Sequence, residues 1–333
     1  MTEKQAIVTL SPSDHQLLCA PGQSLLEAGL DSGVALPYHC ANGSCGDCRA
    51  TVLSGKVTRI RHHDFTLSEA EKLAGTCLMC SNTAVSDVTL EVCEARSAND
   101  MPIQELRARL CHVNRTGSMA LVGFKFIRGK ALRFLTGQYA QLQFPTGQSF
   151  SLPIASCPCN AQYVEFHLPE HGNGTQIIRL IAALSLRDRV MIRGPFGHYT
   201  LSSNHRVPRL FIAVDEGFAS IQGLLEHVFH LELEAPSSLL WIASGHKGHY
   251  RDNLCRSWAD AFDMFSYLPA APNNRPLDLL DDKTRIDLNS GEVYLSGPGE
   301  ALAILYDQLT SAGVDKQRIY QNATPVMSVD PLN

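Results

Sequence analysis

The sequence has no run approaching the ~18–20 consecutive apolar residues that a membrane-spanning helix needs, so no membrane span is expected. Its opening, MTEKQAIVTLSPSD, lacks an apolar signal core with a small-residue cleavage site, so the expected compartment is the cytoplasm. In that reducing setting a disulfide framework is not the expected use of cysteine. Positive charge is not in surplus either: 28 Lys and Arg stand against 33 Asp and Glu, net −5, which argues against nucleic acid as a partner. There is no internal repeat and no low-complexity segment, so solenoid and tail-like architectures drop out. No Ser/His/Asp triad or paired-carboxylate constellation stands out.

What is present is unevenly placed. Residues 1–95 hold 11 acidic and 6 basic residues, whereas residues 96–333 hold 22 of each. An acidic leading module suits docking to a basic protein surface. Apolar residues make up 44% of 333, enough to build cores in two or three domains.

Eleven cysteines are present, and three of them crowd into YHCANGSCGDCRA, residues 38–50. Cys40, Cys45 and Cys48 follow the pattern C-x4-C-x2-C, with Cys77 and Cys80 further on. Zinc sites usually pair two short knuckles, or a knuckle with histidines, and a redox dithiol needs only C-x-x-C. C-x4-C-x2-C followed by a distant cysteine is instead the spacing of a plant-type [2Fe–2S] loop. Two irons need four thiolates, three of them from one tight turn. Gly43 and Gly46 allow the backbone angles of such a turn, and small residues at Ala41 and Ser44 leave N–H groups for the sulfurs. Spacing alone leaves Cys77 and Cys80 in competition for the fourth position. Cys19, Cys93, Cys111, Cys157, Cys159 and Cys255 read as small core residues. Cys157-Pro-Cys159 also has the form of a metal-binding or redox pair, with packing as its expected role.

Hydrophobic patterning divides the chain into three. Residues 1–95 read as short strands (AIVTLSP, HQLLCA, RATVLSGKV, DVTLEVCE) around a helix at SLLEAGLDSG. A second helix, TLSEAEKLAG, carries a capping box from Ser68 to Glu71. Residues 96–101 read as a linker. Residues 102–203 read as an antiparallel barrel (ALVGFKFI, QYAQLQF, YVEFHLP, DRVMIRGPFG) interrupted by one helix, GTQIIRLIAAL. Residues 205–333 alternate strand and helix, as an open parallel sheet does.

In that order and length the chain resembles the ferredoxin-fused flavin reductases that feed electrons to bacterial oxygenases. The cysteine loop carries the resemblance, joined by TGQYAQLQF, IRGPFGHYTL, EVYLSGPGE and LTSAGVDKQRIY. It implies a β-grasp [2Fe–2S] ferredoxin domain (1–95), an FAD-type β-barrel (102–203) and an NAD(P)-type Rossmann-like domain (205–333). It also implies Cys80 as the fourth ligand, because such ferredoxins place that ligand shortly before a Ser-Asp like Ser86-Asp87. Cys40, Cys45, Cys48 and Cys80 are therefore the expected ligand set. The family's flavin motif, Arg-x-Tyr-Ser before Ile-Ala-Ser, reads Phe150, Leu152 and Pro153 before Ile154-Ala155-Ser156. Gly172, Gly174 and Thr175 open a helix at the position of the flavin pyrophosphate turn. The nucleotide loop, Gly-Gly-Thr-Gly in the family, reads VDEGFAS, so Asp215 and Glu216 stand where phosphates should approach and only Gly217 and Ala219 match. Two carboxylates there repel a pyrophosphate by several kcal/mol at an effective dielectric of ~20. The family's Cys-Gly-Pro is Ser296-Gly297-Pro298, and Gln321 replaces a C-terminal acid. Lys247 reads as a solvated lysine, the Gly194-Pro195 and Gly197 turn as structural, and the histidines as surface or core residues.

The resulting expectation is a one-electron [2Fe–2S] carrier on an oxygenase-reductase scaffold, exchanging electrons with an oxygenase or reductase component. FAD is a cofactor only if Gly172, Gly174 and Thr175 take its pyrophosphate and residues other than the family's hold its ring, and NAD(P) is not the expected cofactor. An NAD(P)H-dependent reductase is the alternative, and a non-catalytic assembly subunit the second alternative.

Overall fold

The computed structural model describes the chain apart from residues 1–4, 12–13, 33, 35, 39–40, 62–65, 93–97, 99–100, 102, 128–131, 161–162, 203, 205, 232, 234, 245–247, 273–289 and 324–333. Cys40, Cys93 and Lys247, and most of the expected linker, lie outside the described residues. The chain forms two compact units, Met1–Met101 and Pro102–Asn333.

The first unit runs β1 (Ala6–Ser11), β2 (His15–Cys19), α1 (Leu25–Asp31), β3 (Arg49–Ser54), β4 (Val57–Arg59), α2 (Glu69–Leu73), β5 (Thr76–Leu78), β6 (Asn82–Ala84) and β7 (Val88–Glu91). Its main sheet has the order β2-β1-β7-β3-β5, with β1 and β7 parallel at the centre. Alternation along β1 buries Ala6, Val8 and Leu10 against Leu25 and Leu26 of α1, which is a β-grasp core. Both helices begin in capping boxes. Ser24 and Glu27 exchange hydrogen bonds at the start of α1, as Ser68 and Glu71 do at α2. Only the second of these is expected from the sequence pattern above.

The second unit holds two sheets. An antiparallel sheet is built from β8 (Gln104–Thr116), β9 (Met119–Phe126), β10 (Tyr139–Gln143), β11 (Ser149–Pro153), β12 (Tyr163–Pro169) and β13 (Val190–Phe196), with α3 (Gly172–Ala182) packed on β12. Its order is β11-β10-β13-β8-β9-β12. The expected barrel is an open, curled sheet whose edges approach where Ala155 N–H donates to Glu165 O at 2.8 Å. Phe124, Phe150 and Phe166 lie fully buried in its core. The parallel sheet joins β14 (Arg209–Val214), β15 (Ser237–Ile242), β16 (Phe265–Ala270), β17 (Glu292–Gly297) and β18 (Ile319–Ala323) in the order β16-β15-β14-β17-β18. Helices α4 (Phe218–His230), α5 (Asp252–Ala261) and α6 (Gly299–Ser311) accompany it. Residues β14 209–214, β15 237–242 and β17 292–297 are buried throughout, the mark of strands covered on both faces. Four elements of this unit carried no recognised pattern. The long β8 alternates charged and apolar residues, α5 is strongly polar, and β11 and β16 each contain a proline that weakens the strand signal.

Candidate functional site

The cysteine loop is held by strand pairing at its far end. Cys48 immediately precedes β3, whose Arg49 pairs with Leu78 of β5. The chain then turns through Met79–Ser81, with Met79 N–H donating to Cys48 O at 2.8 Å. Two cysteines separated by 31 residues therefore meet: Cys48 Sγ and Cys80 Sγ are 3.2 Å apart and unbridged. Hydrogen bonding to Cys80 and burial push the Cys48 thiol up, while the hydrogen bond from Cys48 lowers the Cys80 thiol. Cys77 sits in β5 opposite Ala50, and burial raises its thiol to about 11.

The turn between has the backbone the glycines imply. Ala41, Gly43 and Gly46 have φ of 52°, 89° and 80°, all in the left-handed region. Asp47 N–H points at Cys45 Sγ at 3.4 Å, and the Gly43 backbone bonds Cys80. Ser44 N–H goes to Asn42 Oδ1 at 3.1 Å instead of a sulfur. Two arginines tie the loop to its surroundings. Arg49 donates to Gly46 O and to Thr66 O, and Arg61 donates to Ala41 O and to Glu27 on α1. Arg61 also lowers the Cys80 thiol electrostatically. Neither arginine stood out in the sequence, because spacing arguments see cysteines and not their supports. Among the described residues no group of three His, Cys, Asp or Glu side chains closes as a metal cage, and Cys40 is outside them. The paired sulfurs, the inward N–H groups and the positive side chains fit an iron–sulfur cluster.

The flavin-type positions do not open to a ligand. Phe150 and Leu152, at the family's arginine and tyrosine positions, are fully buried in the sheet core. Phe150 meets Phe144 edge-to-face at 6.1 Å. Pro153 closes β11 opposite Tyr139 of β10. The glycines at 172 and 174 have local reasons. Gly172 has φ +54°, and a Cβ on Gly174 would lie 2.0 Å from Pro169 O, so the start of α3 packs directly on the end of β12. Thr175 is half-buried in the first turn.

The nucleotide-type loop is closed by its own side chain. Asp215 follows β14 with φ +50°, and its carboxylate accepts from Ser244 N–H at 2.6 Å and Ser244 Oγ at 2.8 Å, beyond the end of β15. Trp241 Nε1 donates to Asp215 O at 3.1 Å, and the Trp241 ring stacks on Phe218 at 3.9 Å. Asp215 thus spans the crest of the parallel sheet, where ligands of open α/β sheets usually enter. Gly217 has no room for a Cβ, which would meet Ser296 O at 2.1 Å. Ser296 is fully buried, and Gln321 is exposed on β18.

A buried polar network emerges that the sequence reading missed. Glu165 and His167 alternate with core residues on β12, as solvent-facing residues would, yet α4 and the segment before α5 cover them. Glu165 accepts from Tyr163 OH at 2.7 Å and pairs with His167 Nε2 at 3.0 Å and Arg251 Nη2 at 3.7 Å. His167 Nδ1 meets Tyr250 OH at 3.0 Å. Burial raises Glu165, but these partners outweigh it and bring the carboxyl down to about 2. Arg251 reaches Gln222, and Gln222 reaches Glu226 at 3.0 Å, which accepts from Cys157 N–H at 3.1 Å. Burial, reinforced by the Glu165 charge, pushes Glu226 up to about 7. Cys157 and Cys159, expected as packing residues, form a disulfide, and Cys111 is exposed.

An iron–sulfur module followed by an antiparallel and a parallel sheet defines a class: electron-transfer proteins built on the ferredoxin-reductase plan. Residues 8–85 match the 2Fe-2S iron-sulfur cluster binding domain family. The chain is 27% identical over 274 residues, 81% of both chains, to reductase component 1 of terephthalate 1,2-dioxygenase from Comamonas sp.. It is 24% identical over 331 residues, 94% of this chain and 90% of the relative, to the propane 2-monooxygenase reductase component of Rhodococcus jostii. Its fold is shared with the Amycolatopsis cytochrome P450 reductase GcoB, at TM-score 0.59, 23% identity and 96% and 99% coverage of the two chains. The ferredoxin reductase of carbazole 1,9a-dioxygenase matches at TM-score 0.55 and 20% identity, covering 96% and 98%. The chain is similar over most of its length to reductase components of oxygenase systems and shares the ferredoxin-reductase fold, with altered flavin and nucleotide motifs, and its cofactor is a [2Fe–2S] cluster. No helix among the described residues is long and apolar enough to cross a membrane.

Proposed function

We propose that this protein relays single electrons through a [2Fe–2S] cluster to or from a partner protein, an oxygenase or reductase component, in the cytoplasm. On this reading residues 1–95, 102–203 and 205–333 are the ferredoxin, flavin-type and nucleotide-type modules. Cys40, Cys45, Cys48 and Cys80 are the ligands. The 3.2 Å approach of Cys48 and Cys80 supports Cys80 over Cys77 as the fourth ligand. When bound, the cluster takes up and returns one electron at a time. The residues around it fix the loop: Arg49 and Arg61 hold its carbonyls, and the N–H groups of Gly43 and Asp47 point at sulfur. The acidic surplus of residues 1–95 suits a basic docking surface on the partner.

The observation that carries the relay reading is the Asp215 latch. A hydride donor needs a nucleotide loop, and a flavin must stand between a two-electron donor and a one-electron cluster. Here an internal carboxylate fills the loop, and the flavin-type positions are core residues. The likeness to oxygenase reductase components over most of the chain supports the second reading, an NAD(P)H-dependent reductase that holds flavin through other contacts. That reading would use Gly172, Gly174 and Thr175 at the pyrophosphate. Anaerobic purification, followed by heat release of flavin alongside iron and sulfide analysis, separates the two. Iron and sulfide without flavin, even after incubation with FAD and FMN, supports the relay. Stoichiometric flavin with NADH-dependent dye reduction replaces it by the reductase.

A further inference from the structure

We propose that Cys157 and Cys159 form a thiol–disulfide redox site that exchanges two electrons with a dithiol. This inference is independent of the cluster and of any flavin, since none of its residues takes part in either.

The pair lies at a corner of the second unit, just beyond β11. Cys157 is buried and Cys159 is partly exposed, so an incoming thiolate reaches Cys159 first. The two sulfurs are bonded with the Cα atoms 5.2 Å apart. Attack on Cys159 makes Cys157 the leaving group, and the structure supplies what a leaving thiolate needs. Cys159 N–H already points at Cys157 Sγ at 3.2 Å. His227 Nδ1 of α4 lies 3.7 Å from the same sulfur. Better-stabilised thiolates leave faster. Glu226 accepts from the Cys157 N–H at 3.1 Å and fixes this corner on α4, with Gln222, Arg251 and Glu165 behind it. A plain packing cysteine requires none of these contacts.

The exchange balances without another reactant. One thiolate of the incoming dithiol bonds to Cys159 Sγ as the Cys157–Cys159 bond breaks, and Cys157 Sγ leaves as a thiolate that takes a proton. The second thiolate of the dithiol then attacks its own sulfur in the mixed disulfide, and Cys159 Sγ leaves and is protonated. The dithiol ends as a disulfide, oxidised by two electrons, and the chain ends with two thiols. A disulfide present in a reducing compartment is ordinarily transient and redox-active.

The test uses the intact protein. The tryptic peptide between Arg133 and Arg179 contains no cysteine besides Cys157 and Cys159. Native protein is equilibrated against dithiothreitol at graded ratios of reduced to oxidised form, alkylated, and that peptide is weighed. The expected result is reversible conversion between the disulfide and the doubly alkylated mass while the far-ultraviolet spectrum stays native. In Cys159→Ser the oxidised mass disappears and the fold is retained. His227→Ala slows reduction by roughly fivefold while the far-ultraviolet spectrum stays native, the effect of losing one hydrogen-bond donor to a developing charge. Reduced thioredoxin is the second probe. A rate well above that of dithiothreitol at matched potential assigns a protein dithiol, and an equal or lower rate assigns a small one. A disulfide that opens only when the protein unfolds would make the pair a structural clasp and overturn the proposal. So would two free thiols that never join under oxidising buffer.

Discussion

Replacing Asp215 separates a structural latch from an idle surface acid. The carboxylate takes two hydrogen bonds from Ser244, at 2.6 and 2.8 Å, while its own backbone sits at φ +50°. Hydrogen bonds to a charged group contribute about 1.5–3 kcal/mol each, and single substitutions rarely exceed ~4–5 kcal/mol. Asp215→Ala loses both bonds, leaves the Ser244 N–H unsatisfied and keeps the unfavourable backbone angle, for a net loss of about 3 kcal/mol. Asp215→Gly loses the same bonds but relieves the left-handed strain, so it should be more stable than the alanine variant by about 1 kcal/mol. Glycine ordinarily destabilises relative to alanine, so the inverted order is the diagnostic. Urea unfolding followed by tryptophan fluorescence reads it directly. Both tryptophans, Trp241 and Trp258, lie in the second unit, and Trp241 donates to Asp215 itself. An alanine variant within ~0.5 kcal/mol of the parent, or one more stable than the glycine variant, would refute the latch. Replacing Asp215 and Glu216 together by glycine should still give no NADH oxidation, because Phe150 and Leu152 remain in the core; brisk dye reduction would contradict this.

Other expectations follow from single sites. Cys45→Ser and Cys80→Ser should each abolish visible cluster absorbance and electron transfer, whereas Cys77→Ser should keep iron and sulfide; cluster loss in the last variant would reassign the fourth ligand. Phe150→Arg, which puts a guanidinium in the sheet core, should destabilise by about 4 kcal/mol or more, and thermal melts should show no rescue by FAD. Glu226 titrates near 7 in the fold against an ordinary 4.5, so it keeps its proton longer when folded, and stability falls as pH rises between these values, by about 3 kcal/mol. Glu226→Gln should remove that slope, which pH-dependent urea titrations would show. Glu165 acts oppositely. Lowered to about 2, it contributes stability above 4.5 that is lost as pH falls toward 2, so Glu165→Gln should flatten the acid limb of the same titration.

The local signals in this sequence were strong where chemistry fixes spacing. C-x4-C-x2-C with glycines between, the Ser68–Glu71 box and the buried apolar runs at 209–214 and 292–297 determine their own backbone, since period, caps and left-handed turns are short-range properties. The same reading showed that Asp215 stands where a phosphate loop belongs. Tertiary structure decided what each position faces. It brought Cys48 and Cys80 together through β3–β5 pairing and gave Asp215 its partner in Ser244, 29 residues on. It turned the outward-looking Glu165 and His167 of β12 into a buried network, because a helix from another sheet covers that face. It joined Cys157 to Cys159 beside His227, which lies 70 residues from Cys157 in the chain. Periodicity tells which residues share a face of one element. What lies across from that face is set by contacts between distant segments, and no local pattern encodes them.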